Sequence, residues 1–321
     1  MAVGRWAPVA AGAAVLVVGG GAALLARSGP GPAAAGRPGA PAATSTAAPA
    51  PRTLEQLRVR PGDTVTASGT VVAAPGKPVR FCAPVADDLV GTTGPERPPE
   101  CWLAVTLLGA DPGRLTEPKT FGGTRWGQAA ITGRWSRGTI TVTAQGAPVP
   151  DPGPDSTLPD RPPCPAPVGG WREGVLDQSG TDTLTAMIAH NPTAYGELVL
   201  TYPDGPPSGP TDAPENYDRT QVALVTTTLD PAVAEKALRA RFDGNLCVRP
   251  AVRSRAATDA VWQRIKAGVP WKRYGAFMGA ADYLTGRVTV SLVVLDDAAY
   301  RWLHAAGGAI IDARPWLRPP G

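Results

Sequence analysis

The chain has 321 residues, of which 43% are hydrophobic and 18% charged, with Lys+Arg 31 against Asp+Glu 27 for a net charge of +4. Gly 38 and Pro 37 are together far more than a globular chain of this length usually has. These figures exclude a coiled coil, a collagen, a multi-span transporter and a wholly disordered chain. They leave room for one or two packed cores joined by Pro/Gly-rich connections.

In chain order, residues 1–5 end in Arg5, and residues 6–26 (WAPVAAGAAVLVVGGGAALLA) carry no charge. A helix of that length spans about 30 Å, the hydrocarbon thickness of a bilayer. The reading is a transmembrane signal-anchor with a short cytoplasmic N-terminus, oriented by Arg5 and the terminal amine. A cleaved signal peptide is the competing reading. Either way the bulk of the chain is extracytoplasmic, and the membrane is a partner through residues 6–26. Residues 27–52, mostly Pro, Ala, Gly, Ser and Thr, cannot bury a core and read as a linker.

Residues 53–147 read as a small all-β module. Strand-like runs fall at 63–73, 77–83, 101–108, 127–134 and 138–144, the last two joined by a short turn ending in Gly138. The closing hairpin, with Ile131, Gly133, Trp135, Gly138, Ile140 and Val142 in the pattern I-x-G-x-W…G-x-I-x-V, resembles that of an OB-fold barrel. Such barrels often bind nucleic acid or oligosaccharide, so Trp126, Arg134, Trp135 and Arg137 are candidate ligand or partner contacts. The competing reading is a hairpin tip with solvated Arg side chains and a Trp covering the barrel end. An exported chain makes nucleic acid an unexpected partner.

Residues 148–164 are a proline-rich seam that no helix or central strand survives. Residues 165–321 read as an α+β module. Two segments repeat the order strand, Leu-Asp, helix, Gly, strand: QVALVTTTLD at 221–230 and RVTVSLVVLD at 287–296 open them. Asp230 with Pro231 is a helix N-cap signal, and Asp296 is placed to cap likewise. Gly244 and Gly308 stand where these helices should stop. A further helix capped by Ser254 and a hairpin around 284–286 complete the segment. Setting that helix aside leaves the ferredoxin-like order βαββαβ, a sandwich with helices on one face of a single sheet. A short helix at 183–190 and a strand at 195–202 precede it, and 203–217 reads as a polar loop.

Four cysteines, Cys82, Cys101, Cys164 and Cys247, lack the C-x-x-C spacing of zinc or redox motifs. In an exported chain an even count reads as two disulfides. Three connectivities exist, and Cys82–Cys101 with Cys164–Cys247 keeps each bridge within one module. The first closes a loop whose constraint contributes about 3 kcal/mol in the chain-entropy account.

No P-loop, nucleophile elbow or H-E-x-x-H motif occurs, and nothing calls for a cofactor or a metal. The two histidines, His190 and His304, fit helix ends better than catalysis. A glycosidase needs two carboxylates facing across a cleft, but Asp87-Asp88, Asp212 with Glu215, and Asp296-Asp297 sit at turns, loops and helix starts. Tryptophan is the unusual count, 9 against Phe 4. Most of it is assigned to core, with Trp271, Trp135 and Trp316 the candidates for exposure and Trp271 the added candidate contact.

A large excess of Arg over Lys, abundant Ala, Gly and Pro, a single N-terminal apolar span, a Pro/Ala linker and paired cysteines resemble exported cell-envelope proteins of high-GC actinobacteria. The resemblance is one of layout and composition. It implies a cell-surface setting and brings no catalytic residue with it. The reading that follows is a membrane-tethered extracytoplasmic binding or scaffolding protein whose partner is an envelope protein or polysaccharide. A carboxylate-based envelope hydrolase is the alternative, and an inhibitor or chaperone-like partner of a secreted protease the second.

Overall fold

The structure, a computed structural model, describes residues 52–84, 97–149, 159–206, 219–267 and 275–320. These described residues all belong to one compact unit.

The chain opens with a short helix, α1 (Leu54–Leu57), closed at its start by Thr53 and Gln56, which cap each other reciprocally. Six strands follow: β1 (Thr64–Ala73), β2 (Val79–Cys82), β3 (Ala104–Leu108), β4 (Thr116–Phe121), β5 (Thr124–Ser136) and β6 (Thr139–Gly146). Their order is β1-β2-β3-β6-β5-β4, and β1 also pairs with β5 along its full length, which closes the sheet on itself. β3 and β6 are parallel and the other pairs antiparallel. Alternation along β5 sends Ala129, Ile131 and Trp135 inward, where they meet Val65, Val71, Phe81 and Ile140. Gly133 sits at a register shift opposite β6, and a Cβ there would fall 2.3 Å from the Thr141 carbonyl oxygen. Only glycine admits that approach.

The rest of the described chain repeats one element order twice. The first copy comprises α2 (Gln178–His190), β7 (Tyr195–Thr201), β8 (Val222–Thr227), α3 (Pro231–Arg239) and β9 (Leu246–Pro250). The second comprises α4 (Arg255–Ala267), β10 (Ala276–Asp282), β11 (Arg287–Val294), α5 (Asp297–Ala306) and β12 (Ile311–Leu317). Each copy is αββαβ. Each forms its own three-stranded sheet, with an antiparallel first pair and a parallel second pair joined through a helix. The caps match: Asp230 accepts from the N–H groups of Ala232 and Val233, and Asp296 from those of Ala298 and Ala299. The core pairs match too, Ala234 and Leu238 in α3 against Ala299 and Leu303 in α5. So do Leu184 and Ile188 in α2 against Val261 and Ile265 in α4.

The fold class read from the sequence, an N-terminal transmembrane helix plus an OB-like β module and a ferredoxin-like sandwich, is corrected. The described chain is mixed α/β, with twelve strands in three sheets and five helices. Among the described residues no helix is long and apolar enough to cross a membrane, and residues 6–26 lie outside them. The duplicated strands do not join into one ferredoxin-like sheet, because each copy contributes an added antiparallel strand, β7 or β10, and completes a sheet by itself. β4 is an element the sequence reading lacks. Its residues TEPKTF are nearly all exposed and include Pro118, so no apolar alternation announces them. Helix α2 begins at Gln178, earlier than read, with Asp177 as its cap. Helix α3 stops at Arg239, short of Gly244.

The two copies bury their helix-free faces differently. In the second, Val288, Val290, Leu292, Ile311 and Ala313 pack under α4 and α5. Its other face adds Val293, Phe277 and Trp316 to the core of the closed sheet, and the strand ends Val294 and Leu317 join the same cluster. Trp316 stacks 4.4 Å from Phe81 and its indole N–H donates to the Ser68 carbonyl at 2.8 Å. Thr66 and Arg318 exchange two backbone hydrogen bonds, and the Val59 N–H donates to the Leu295 carbonyl. In the first copy, Ala223, Val225, Leu246 and Val248 pack with α2 and α3. Its other face, with Val222, Leu224 and Cys247, is covered by Cys164 and Trp171 and by Leu284 from the β10–β11 turn.

Both disulfides have the pairing read from the sequence. Cys82–Cys101 ties the end of β2 to the start of the 101–103 turn, and Cys164–Cys247 ties the segment before α2 to β9, with Cα atoms 5.2 and 5.7 Å apart. Two disulfides fit an oxidising, extracytoplasmic location.

Candidate functional site

The segment 164–176 runs as a strap over the first copy. The disulfide holds one end. A polar clip holds the rest, and its centre is Asn245, which is buried. The Asn245 side-chain oxygen accepts from the Arg172 N–H at 2.9 Å, and its Nδ2 donates to the Arg172 and Gln221 carbonyls at 2.8 and 2.9 Å. Gln221 continues the clip: its Oε1 accepts from the Leu176 N–H, and its own N–H donates to the Gly174 carbonyl. A buried amide with its oxygen and both N–H groups bonded fixes position at low cost.

Between the strap and the turn that follows α3 lies a cleft of about 600 Å³. One wall is the turn 167–170, closed by a hydrogen bond from the Gly170 N–H to the Pro167 carbonyl. Gly169 and Gly170 there have φ of 94° and 87°, the region glycine enters without strain. Trp171 and Arg172 continue that wall, and Arg239, Phe242, Asp243 and Asn245 form the opposite one. Arg239 donates to the Gly244 and Leu246 carbonyls at 2.6 and 3.3 Å and lies 3.6 Å from Glu235. Arg172 lies 3.8 Å from Asp243, with both side chains largely in solvent.

A second polar constellation joins the two copies. Arg255, on α4, stacks over the Tyr283 ring at 4.2 Å and lies 3.8 Å from Glu197 on β7. The Tyr283 hydroxyl donates to Asp259 at 2.6 Å. Burial raises the Glu197 carboxyl above its ordinary range, and Asp282 and Asp259 add to the rise against the Leu198 N–H and Arg255. Burial first, then the hydrogen bond to Asp259, pushes the Tyr283 hydroxyl up to about 12. Ala251 and Ala256 add backbone bonds to Thr227 and Pro192 across the same seam. The geometry is that of a joint between the copies.

The residues singled out from the sequence are scattered. Trp126 and Trp135 are 7% and 6% exposed, and Trp135 packs in the core of the closed sheet. Arg134 is exposed and donates to the Gly62 carbonyl, and Arg137 occupies the β5–β6 turn at φ 41°. Trp271 lies outside the described residues, as do Asp87, Asp88, Asp212 and Glu215. Trp316 is partly buried against the closed sheet, while Trp102, which the reading did not single out, is 72% exposed. Asp296 caps α5, and Asp297 bonds Arg58 at 2.7 Å, which holds its carboxyl below the usual range. His190 contacts the Ala186 carbonyl, and His304 stacks on Tyr300. Among the described residues no group of three or more His, Cys, Asp or Glu is placed to hold a metal ion.

The cleft residues were missed. Two signals pointed to them: Trp171-Arg172 follows a Pro-Val-Gly-Gly turn soon after Cys164, and Asn245 stands two positions before Cys247. A bridge between those cysteines brings both neighbourhoods together. Searched against protein-family models the chain matches none, and no curated protein matches it.

Proposed function

We propose that the protein is an extracytoplasmic binding module of the cell envelope, and that it engages its ligand in the cleft between the strap and the α3–β9 turn. The observation that supports this most is the construction of that cleft. A covalent bridge and a fully bonded buried amide hold its two walls, from parts of the chain 73 residues apart. Preorganisation of that kind reduces the ordering cost of binding. The volume lies within the roughly 300–1,000 Å³ of small-molecule sites.

The test is incubation of the full-length protein with purified cell-wall polysaccharide and, separately, with envelope protein fractions. The reading expects saturable binding without soluble products, and loss of binding in Asp243→Trp, whose indole fills the cleft from an exposed position. Binding that is indifferent to Asp243→Trp would sink the cleft as the site. Release of soluble products would favour carboxylate-based hydrolysis instead. Glu197, with its raised carboxyl beside Asp259 and Tyr283, is the candidate acid for that reading.

A further inference from the structure

The composition of the cleft wall narrows the ligand: we infer that it takes an uncharged saccharide, a deduction that rests on the binding reading above. The cleft lining holds Arg172, Arg239 and Asp243, and each arginine has a carboxylate partner, one of them outside the lining. Arg239 faces Glu235, and its guanidinium is occupied by two backbone carbonyls. Arg172 faces Asp243. An ionic ligand finds no surplus charge of either sign.

The Arg172–Asp243 pair is nevertheless open to use. At 3.8 Å, with side chains 72% and 98% exposed, it contributes almost nothing by itself. A guanidinium only donates and a carboxylate only accepts, whereas a hydroxyl does both. Neighbouring hydroxyls on one ring therefore satisfy both groups without either losing its charge partner. An apolar ligand would strip water from the pair and return no hydrogen bonds, at a cost. Trp171, partly exposed on the strap, supplies aromatic surface for the C–H face of a sugar ring, with the buried Phe242 behind the opposite wall. A Cβ at Gly169 or Gly170 would meet nothing within 4 Å, so that wall is bare backbone, open to a polar ring.

The experiment is calorimetric titration of full-length oxidised protein with neutral glucose-, mannose- and galactose-based trisaccharides and with trigalacturonate. At least one neutral trisaccharide should bind saturably, with trigalacturonate at least about ten-fold weaker. Arg172→Ala should weaken the neutral ligand about ten-fold. Asp243→Asn, which leaves Arg172 unmatched, should narrow or abolish the discrimination against the acid. Both side chains are exposed, so the fold survives either change. Trigalacturonate binding wild type as tightly as the neutral sugars would overturn the charge argument and leave the binding reading standing. No trisaccharide binding, while envelope material still binds and is lost in Asp243→Trp, would overturn the saccharide class alone. Indifference of envelope binding to Asp243→Trp would remove the site itself.

Discussion

The two αββαβ copies share caps, core pairs and strand order, yet they solve the same problem by opposite means. A three-stranded sheet with helices on one face leaves its other face bare. The second copy lays that face on the closed sheet and merges two cores through Val293, Phe277 and Trp316. The first covers it with a strap, stapled by Cys164–Cys247 and clipped by Asn245. In the second copy the two layers share one buried cluster. A strap held at a few points leaves a cleft beside it, and the candidate site is found in the copy that has the strap. The two copies give two similar frames, and the difference in cover is what leaves a cleft beside the first.

Four changes sharpen or break this comparison. The largest effect is expected from Cys164→Ala with Cys247→Ala. The bridge spans 83 positions, and its loss should cost about 4 kcal/mol in the chain-entropy account. Chemical denaturation should then show the first copy melting ahead of the rest, and a single unaltered transition would contradict the strap's role. Next is Leu317→Ala, a fully buried side chain in the merged core, at about 2–5 kcal/mol. Here the closed sheet and the second copy should lose stability together, visible as a lower Tm for probes in both.

Asn245→Ala leaves the Arg172 and Gln221 backbone groups without their partner, at about 1–3 kcal/mol. Amide exchange should rise along 171–176 while β10–β12 stays protected. The smallest effect is Glu197→Gln. Burial raises the folded-state pKa of Glu197 above the unfolded value, so its contribution is full below that unfolded value, about 4.3, and is lost as pH rises through the folded pKa. At pH 7 the variant should therefore match or exceed wild type, by less than about 1 kcal/mol after the weak Arg255 pair is lost. The difference should close below about pH 4. Urea melts at pH 7 and pH 3.5 decide it, and a variant clearly less stable at pH 7 would mean the Arg255 contact outweighs burial.

What the sequence made legible was local or covalent. Asp230-Pro231 and Asp296 announce helix starts because a carboxylate before an apolar run has few other uses. The cysteine pairing followed from keeping each bridge in one module. Partner choice was not legible. The pattern of β7 and β10 marks them as strands, but nothing local says that each completes a sheet of its own rather than joining a shared one. β4 stayed hidden because an exposed edge strand has no buried alternation. The clip that shapes the cleft joins Arg172 to Asn245 across 73 positions, and each looks like an ordinary loop residue until the disulfide brings them together. Trp126 and Trp135 are aromatics beside arginines, but inward alternation along β5 claims Trp135 for the core, and Trp126 is buried on the other face of the strand.

The central claim is that the two copies differ in what holds their helix-free face. Hydrogen exchange on the Cys164→Ala/Cys247→Ala variant, compared residue by residue with wild type, tests it most directly. The account predicts faster exchange in 164–176 and β7–β9, with β10–β12 and the closed sheet unchanged. Equal acceleration in both copies, or none in either, would contradict it.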